Sequence, residues 1–117
     1  MGTKKEPAKK TYKISLSQNA INNFNEITGY LAFIKQQPLN AILIGDKIFE
    51  TIERIGTNPS LFRHCDEMPT KTKMYRKANC YNWLIIFKVF KEEILVLGII
   101  HASRHPNQLK SLRKIKK

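Results

Sequence analysis

The sequence predicts an α+β domain in the order β-α-α-β-β-β, a helical hairpin packed on an antiparallel sheet. Three observations carry that prediction. Two apolar runs, 83–90 and 94–100, are rich in Ile, Leu, Val and Phe and are separated only by Lys91-Glu92-Glu93, the pattern of a β-hairpin. Two earlier stretches repeat apolar residues every three or four positions, the spacing of helices with one buried stripe. A chain of 117 residues has room for one modest core, so strands and helices must share it.

In chain order, residues 1–10 read as a disordered basic leader without periodicity. Tyr12, Ile14 and Leu16 alternate with Lys13 and Ser15, which predicts a strand over residues 11–16 with one buried face. Ser17 follows as a helix N-cap. Ile21, Phe24, Ile27, Leu31 and Ile34 form the stripe of the first helix, which Pro38 closes while opening the second. Ala41, Ile44, Ile48, Ile52 and Ile55 form the second stripe, and Gly56 with Asn58-Pro59 ends it.

A long connection over residues 57–72 then precedes a strand at 73–78, a turn at 79–82 and the two apolar runs. Those runs lack strict alternation, so they should be covered on both faces, one of them by helices. Phe24, Ile27, Leu31, Ile48, Ile52, Leu84, Ile86, Val96 and Ile100 are the expected core between hairpin and sheet. The domain should span residues 11–109. Residues 110–117 read as a basic C-terminal tail whose Leu112 and Ile115, at helical spacing, await a partner.

Charge is unevenly placed. The net charge is +12, yet residues 18–56 carry −1, with Lys35, Lys47 and Arg54 set against Glu26, Asp46, Glu50 and Glu53. The first seventeen residues carry +4 and residues 57–117 carry +9, which implies an acidic partner, nucleic acid or protein. Lysine-rich tails that serve only solubility are the plainer alternative. No apolar run reaches a membrane span of roughly 18 residues and no signal segment opens the chain, so a cytoplasmic protein without membrane contact is expected. Cys65 and Cys80 are too few for a disulfide framework and read as free thiols.

His64-Cys65, Cys80, His101 and His105 match no zinc spacing, and no glycine-rich phosphate loop or hydrolase motif is present. Neither a metal nor a cofactor is expected. Basic residues are the stronger signal. Lys71, Lys73, Arg76 and Lys77 lead into the meander, Lys88 interrupts its middle strand, and His101, Arg104 and His105 end it. Convergent cations would bind phosphate or stabilise charge developing during RNA cleavage, with a histidine moving a proton; a solvated basic rim is the alternative.

The order of these segments, with Asn58-Pro59 after the second helix, Tyr75-Arg76 opening the meander, Trp83-Leu-Ile-Ile-Phe-Lys within it and Ile-Ile-His-Ala-Ser-Arg-His-Pro closing it, resembles the RelE/ParE superfamily of bacterial toxins. The resemblance covers roughly residues 12–109 and implies a toxin neutralised by an acidic antitoxin. The ending His101-x-x-Arg104 and the absence of a later Tyr are more similar to the ParE branch, which inhibits DNA gyrase and serves plasmid stabilisation. A RelE-like, ribosome-dependent mRNA endoribonuclease is the alternative, with Lys73, Arg76, His101 and Arg104 as its implied catalytic set. A basic nucleic-acid-binding module without toxicity is the third reading. Target binding is expected at Lys71, Lys73, Arg76, Lys88, Arg104 and His105. Apolar residues beside the helical stripes, Phe33, Ile42 and Phe49, are left over for an antitoxin segment.

Overall fold

A computed structural model describes residues 12–104 and 106–116. The elements are β1 (Lys13–Leu16), α1 (Gln18–Gly29) continued by a π-helical segment (Tyr30–Ile34), α2 (Pro38–Thr57), a 3-10 turn (Pro59–Leu61), β2 (Arg63–His64), β3 (Tyr75–Cys80), β4 (Trp83–Phe90), β5 (Glu93–His101), α3 (Pro106–Ser111) and a final 3-10 turn (Leu112–Lys114). Residues 1–10, read above as a disordered leader, lie outside the described residues. The five strands form one sheet in the order β1-β5-β4-β3-β2.

The α+β architecture stands, with two corrections to the sheet. It is mixed rather than wholly antiparallel, because β1 runs parallel to β5 with Ile14 opposite Ile94. The long connection also contributes an edge strand, with Arg63 and His64 pairing with Lys77 and Arg76. The meander strand runs over 75–80 rather than 73–78. Its loop is the two residues Tyr81-Asn82, as Lys91-Glu92 is for the next hairpin. Tyr81 and Lys91 take left-handed φ of 54° and 58°, the sign that two-residue hairpin loops demand.

The sheet is buried on both faces. Ala20, Leu31, Ala41, Ile44, Ile48, Ile52 and Ile55 of the helices pack with Ala78, Ile85, Phe87, Ile94, Val96 and Ile99 on the first face. Cys65, Met68 and Tyr75 with Leu109 and Leu112 cover Ile86 and Leu97 on the second. Leu84, Ile86 and Ile100 therefore face away from the helical hairpin, not towards it. For Ile100 the cause is a bulge: Val96 pairs with Phe87 and Gly98 with Ile86, so Leu97 is an extra residue and the side-chain alternation of β5 changes phase there. β4 alternates without a break, and because it is apolar on both faces its sequence does not show that Ile85 and Phe87, rather than Leu84 and Ile86, meet the helices.

Two further expectations change for the same kind of reason. Ile34, placed on the stripe of the first helix, is 69% exposed, because the Lys35 N–H bonds the Tyr30 carbonyl at 3.0 Å and the wider turn rotates the stripe outward. Ile21 lies beside the stripe, which is occupied by Ala20, and is 39% exposed. The basic tail needs no partner to order it: Leu112 is buried against the sheet of its own chain, with Ile115 beside it.

Beyond Leu16, β5 loses its neighbouring strand, and side chains of α1 take over. Ser17 caps the helix by accepting from the Ala20 N–H at 3.0 Å and donates its own hydroxyl to the Leu97 carbonyl at 2.9 Å. Asn19 Nδ2 donates to the same carbonyl at 3.1 Å, and the Ile99 N–H donates to Asn23 Oδ1 at 2.9 Å. Gly98 permits this approach, since a Cβ there would stand 3.0 Å from Asn19 Nδ2 and 3.1 Å from Asn23 Oδ1 and a Leu112 methyl.

Truncating Phe87, fully buried where the helices meet the sheet, is expected to cost about 3–5 kcal/mol in urea unfolding. Ile21→Ala, at the exposed flank of α1, should cost less than about 1 kcal/mol. Equal losses would show that the helices do not sit as described.

Candidate functional site

The open end of the β4–β5 hairpin carries the most varied polar chemistry of the described residues. Trp83, the first residue of β4, stands opposite His101, the last of β5, with their rings edge-on at 6.1 Å. Past the sheet the Ala102 N–H donates to the Asn82 carbonyl at 2.7 Å and the Arg104 N–H to the His101 carbonyl at 3.0 Å, which turns the chain sharply. Arg104 then donates through Nη1 to Gln108 Oε1 of α3 at 2.9 Å. Between this turn, α1 and α3 lies a cleft of about 710 Å³, lined among others by Glu26, Tyr30, Trp83, His101, Arg104 and Gln108.

The ring of His101 is held in one orientation. The Ser103 backbone N–H donates to Nδ1 at 3.2 Å, and the Ser103 hydroxyl lies 2.8 Å from the same nitrogen. A backbone N–H only donates, so Nδ1 is the acceptor and the neutral ring carries its proton on Nε2. In this tautomer the exposed edge of His101 offers a hydrogen bond.

The predicted cations do not gather here. Lys88 stands opposite Tyr75 and Trp83 opposite His101. These two levels are five positions apart along β4, about 17 Å at a strand's rise per residue. Lys71 and Lys73, just before Tyr75, are exposed at the far level, where Lys73 adopts a left-handed φ of 53°. Arg76 is tied down, its Nη1 donating to the Phe62 carbonyl at 2.7 Å. Of the expected catalytic set, the structure brings His101 and Arg104 together and leaves Lys73 and Arg76 apart. His105 lies outside the described residues.

Sequence reasoning missed Trp83, Glu26, Tyr30 and Gln108 as cleft residues. One signal was available: the single Trp of the chain stands at the mouth of a tight hairpin, where an aromatic is only half-covered.

The two thiols are buried on opposite faces of the sheet. Burial, reinforced by the Glu67 carboxylate at 3.5 Å, pushes the Cys65 thiol up to about 11, so it stays protonated at neutral pH. Burial raises Glu67 itself, but its own backbone N–H, Lys77 and the Cys65 thiol outweigh this and hold its carboxyl below the usual range.

A second surface lies on the other flank of α1. Phe24, Ala32, Phe33, Pro38, Ile42 and Phe49 line an apolar groove of about 570 Å³ between α1 and α2. Phe33 is 79% and Ile42 61% exposed, far more than an ordinary helical hairpin leaves to solvent. Gly45 allows the two helices to approach there, since a Cβ would meet the Phe24 ring at 3.3 Å. Phe33, Ile42 and Phe49 thus line one groove, as the stripe argument required.

Nitrogen chemical shifts of His101 at pH 8 are expected to report the Nε2–H tautomer, in wild type and in Ser103→Ala, which keeps the backbone donor. Signals of the Nδ1–H form would contradict the geometry described.

Comparison with known proteins agrees with this architecture. The chain is similar over 80% of its length to a solved structure described as the chromosomal ParDE TA system from P. aeruginosa, 98% of which is covered, with 17% identity and a TM-score of 0.62. None of the curated proteins matches. No helix among the described residues is long and apolar enough to cross a membrane. The model of the family described as ParE toxin of type II toxin-antitoxin system, parDE, matches residues 14–106, and with most of its folded length inside that match the chain belongs to the ParE toxin family.

Proposed function

We propose that this toxin acts on DNA gyrase as a binding inhibitor, through the cleft of Trp83, His101 and Arg104, and is neutralised by an acidic antitoxin whose apolar segment fills the groove of Phe33, Ile42 and Phe49. The observation that carries the choice of target is the dispersal of the cations. Cleavage of RNA needs a proton acceptor and charge stabilisation at one phosphate. Here Lys73 and Arg76 stand far from His101, and His101 presents an N–H. A half-buried Trp beside fixed polar groups is instead the composition of a protein-binding centre.

The antitoxin reading is supported by three features. The solved relative is described as a ParDE TA system. An exposed apolar groove between two helices suits an amphipathic helix. The net charge of +12 favours an acidic partner and fast, salt-sensitive association.

Induced in cells, the toxin is expected to cause DNA breaks and filamentation before translation fails, and the purified chain to inhibit gyrase supercoiling. Trp83→Ala should weaken inhibition by roughly 30-fold and Lys73→Ala by less than about 3-fold. Phe49→Asp should weaken the antitoxin complex by roughly 30-fold while leaving gyrase inhibition in place. Codon-positioned mRNA ends with intact DNA, lost on Arg76→Ala or Arg104→Ala, would replace this reading with ribosome-dependent cleavage.

A further inference from the structure

The second face of the sheet carries a charge cluster that neither the cleft nor the groove uses. Arg113, in the final 3-10 turn, lies over the Tyr75 ring at 5.9 Å. Lys88 stands directly opposite Tyr75 on the neighbouring strand, where facing side chains approach within about 5 Å at Cβ. Lys88 and Arg113 thus both neighbour Tyr75 on this face, and neither pairs with a carboxylate among the described residues. Lys73 lies two residues before Tyr75, and Lys114 and Lys116 follow Arg113 in the chain; all three are exposed and form no ion pair among the described residues.

The carboxylates near this face do little to offset them. Glu67 is committed to Lys77 at 3.5 Å, and Glu93 lies one row further along, opposite Phe90. Like charges gathered on one face repel one another, and an anion bound among them relieves that repulsion. The tail is held there by apolar packing: Leu109 and Leu112 are buried against Ile86 and Leu97 and fix where Arg113 sits. The cluster is thus built into the fold and does not depend on a loose tail.

We propose that this face, through Lys88 and Arg113 with Lys73, Lys114 and Lys116, binds the phosphate backbone of duplex DNA. Unpaired Lys and Arg in a rigid array suit successive phosphates, which bind by releasing counterions. Stacking of single-stranded bases is not served, because Tyr75 is covered by Arg113 and the exposed Phe90 by Lys91, 5.4 Å from its centroid. The choice of DNA as the occupant rests on the gyrase reading, since that target works on duplex DNA; the cations by themselves require only phosphate. The face lies across the sheet from the apolar groove, so an antitoxin helix seated in the groove leaves it open.

The test is fluorescence anisotropy of the full chain with a labelled duplex of about 20 base pairs and arbitrary sequence, at roughly 50 to 200 mM salt. For about four neutralised phosphates, affinity should fall roughly 100-fold over that range. The double variant Lys88→Gln/Arg113→Gln should reduce the slope of log affinity against log salt by about 2, and Lys47→Gln, on α2, should leave it unchanged. Absence of binding at the lowest salt, or a slope unaffected by the double variant, overturns the proposal. Tighter binding of an RNA duplex, or equal competition by polyglutamate at matched charge, overturns DNA as the occupant. Supercoiling inhibition by the wild-type chain is read separately, so failure of the gyrase reading and failure of this surface give different results.

Discussion

Every buried backbone group of β5 must find a partner, and the strand beside it ends too early to supply one. β1 accompanies β5 only as far as Leu16 opposite Val96, while β5 continues to His101. A buried carbonyl or N–H left unpaired there would cost about 1–3 kcal/mol each. Ser17, Asn19 and Asn23 meet that need from the first turns of α1, with Gly98 providing the room. The helix is thereby fixed across the sheet at one angle. Its two flanks become the walls of two different surfaces, the cleft with β5 and α3 and the groove with α2.

Much of the fold was legible because burial imposes periodicity. The stripe Ala41, Ile44, Ile48, Ile52, Ile55 is wholly buried, and the two apolar runs are the two strands covered on both faces. What could not be read were single-residue shifts. The extra residue at Leu97 and the wide turn at Tyr30–Ile34 each change which side chains face inward without altering composition. Ile100 and Ile34 face differently for that reason, and Leu84 and Ile86 because a strand apolar on both faces does not show which parity meets the helices. The edge strand at Arg63–His64 is too short to carry a pattern at all.

The candidate site was legible in part. His101 and Arg104 stand out because polar residues abruptly end an apolar strand. Their cleft partners Glu26, Tyr30 and Gln108 come from other elements, and only the docking of α1 and α3 brings them together. Lys73 and Arg76 look close to the site in sequence because β3 and β4 form one hairpin. An antiparallel strand eight residues long carries them to its other end. Apolar contact, polar contact and positive charge are thus separated on three sides of one small domain, an arrangement better suited to several partners than to one reacting phosphate.

The account depends on side chains of α1 standing in for a missing strand, and the Ile99 amide reports this directly. Hydrogen exchange of Ile99 in the wild-type chain should be more than about 100-fold slower than in an unfolded chain. In Asn23→Ala it should accelerate selectively, while the amides of Ile85 and Phe87 in the neighbouring strand stay protected. An Ile99 amide that exchanges freely in the wild type, or equally slowly in both proteins, would contradict the account.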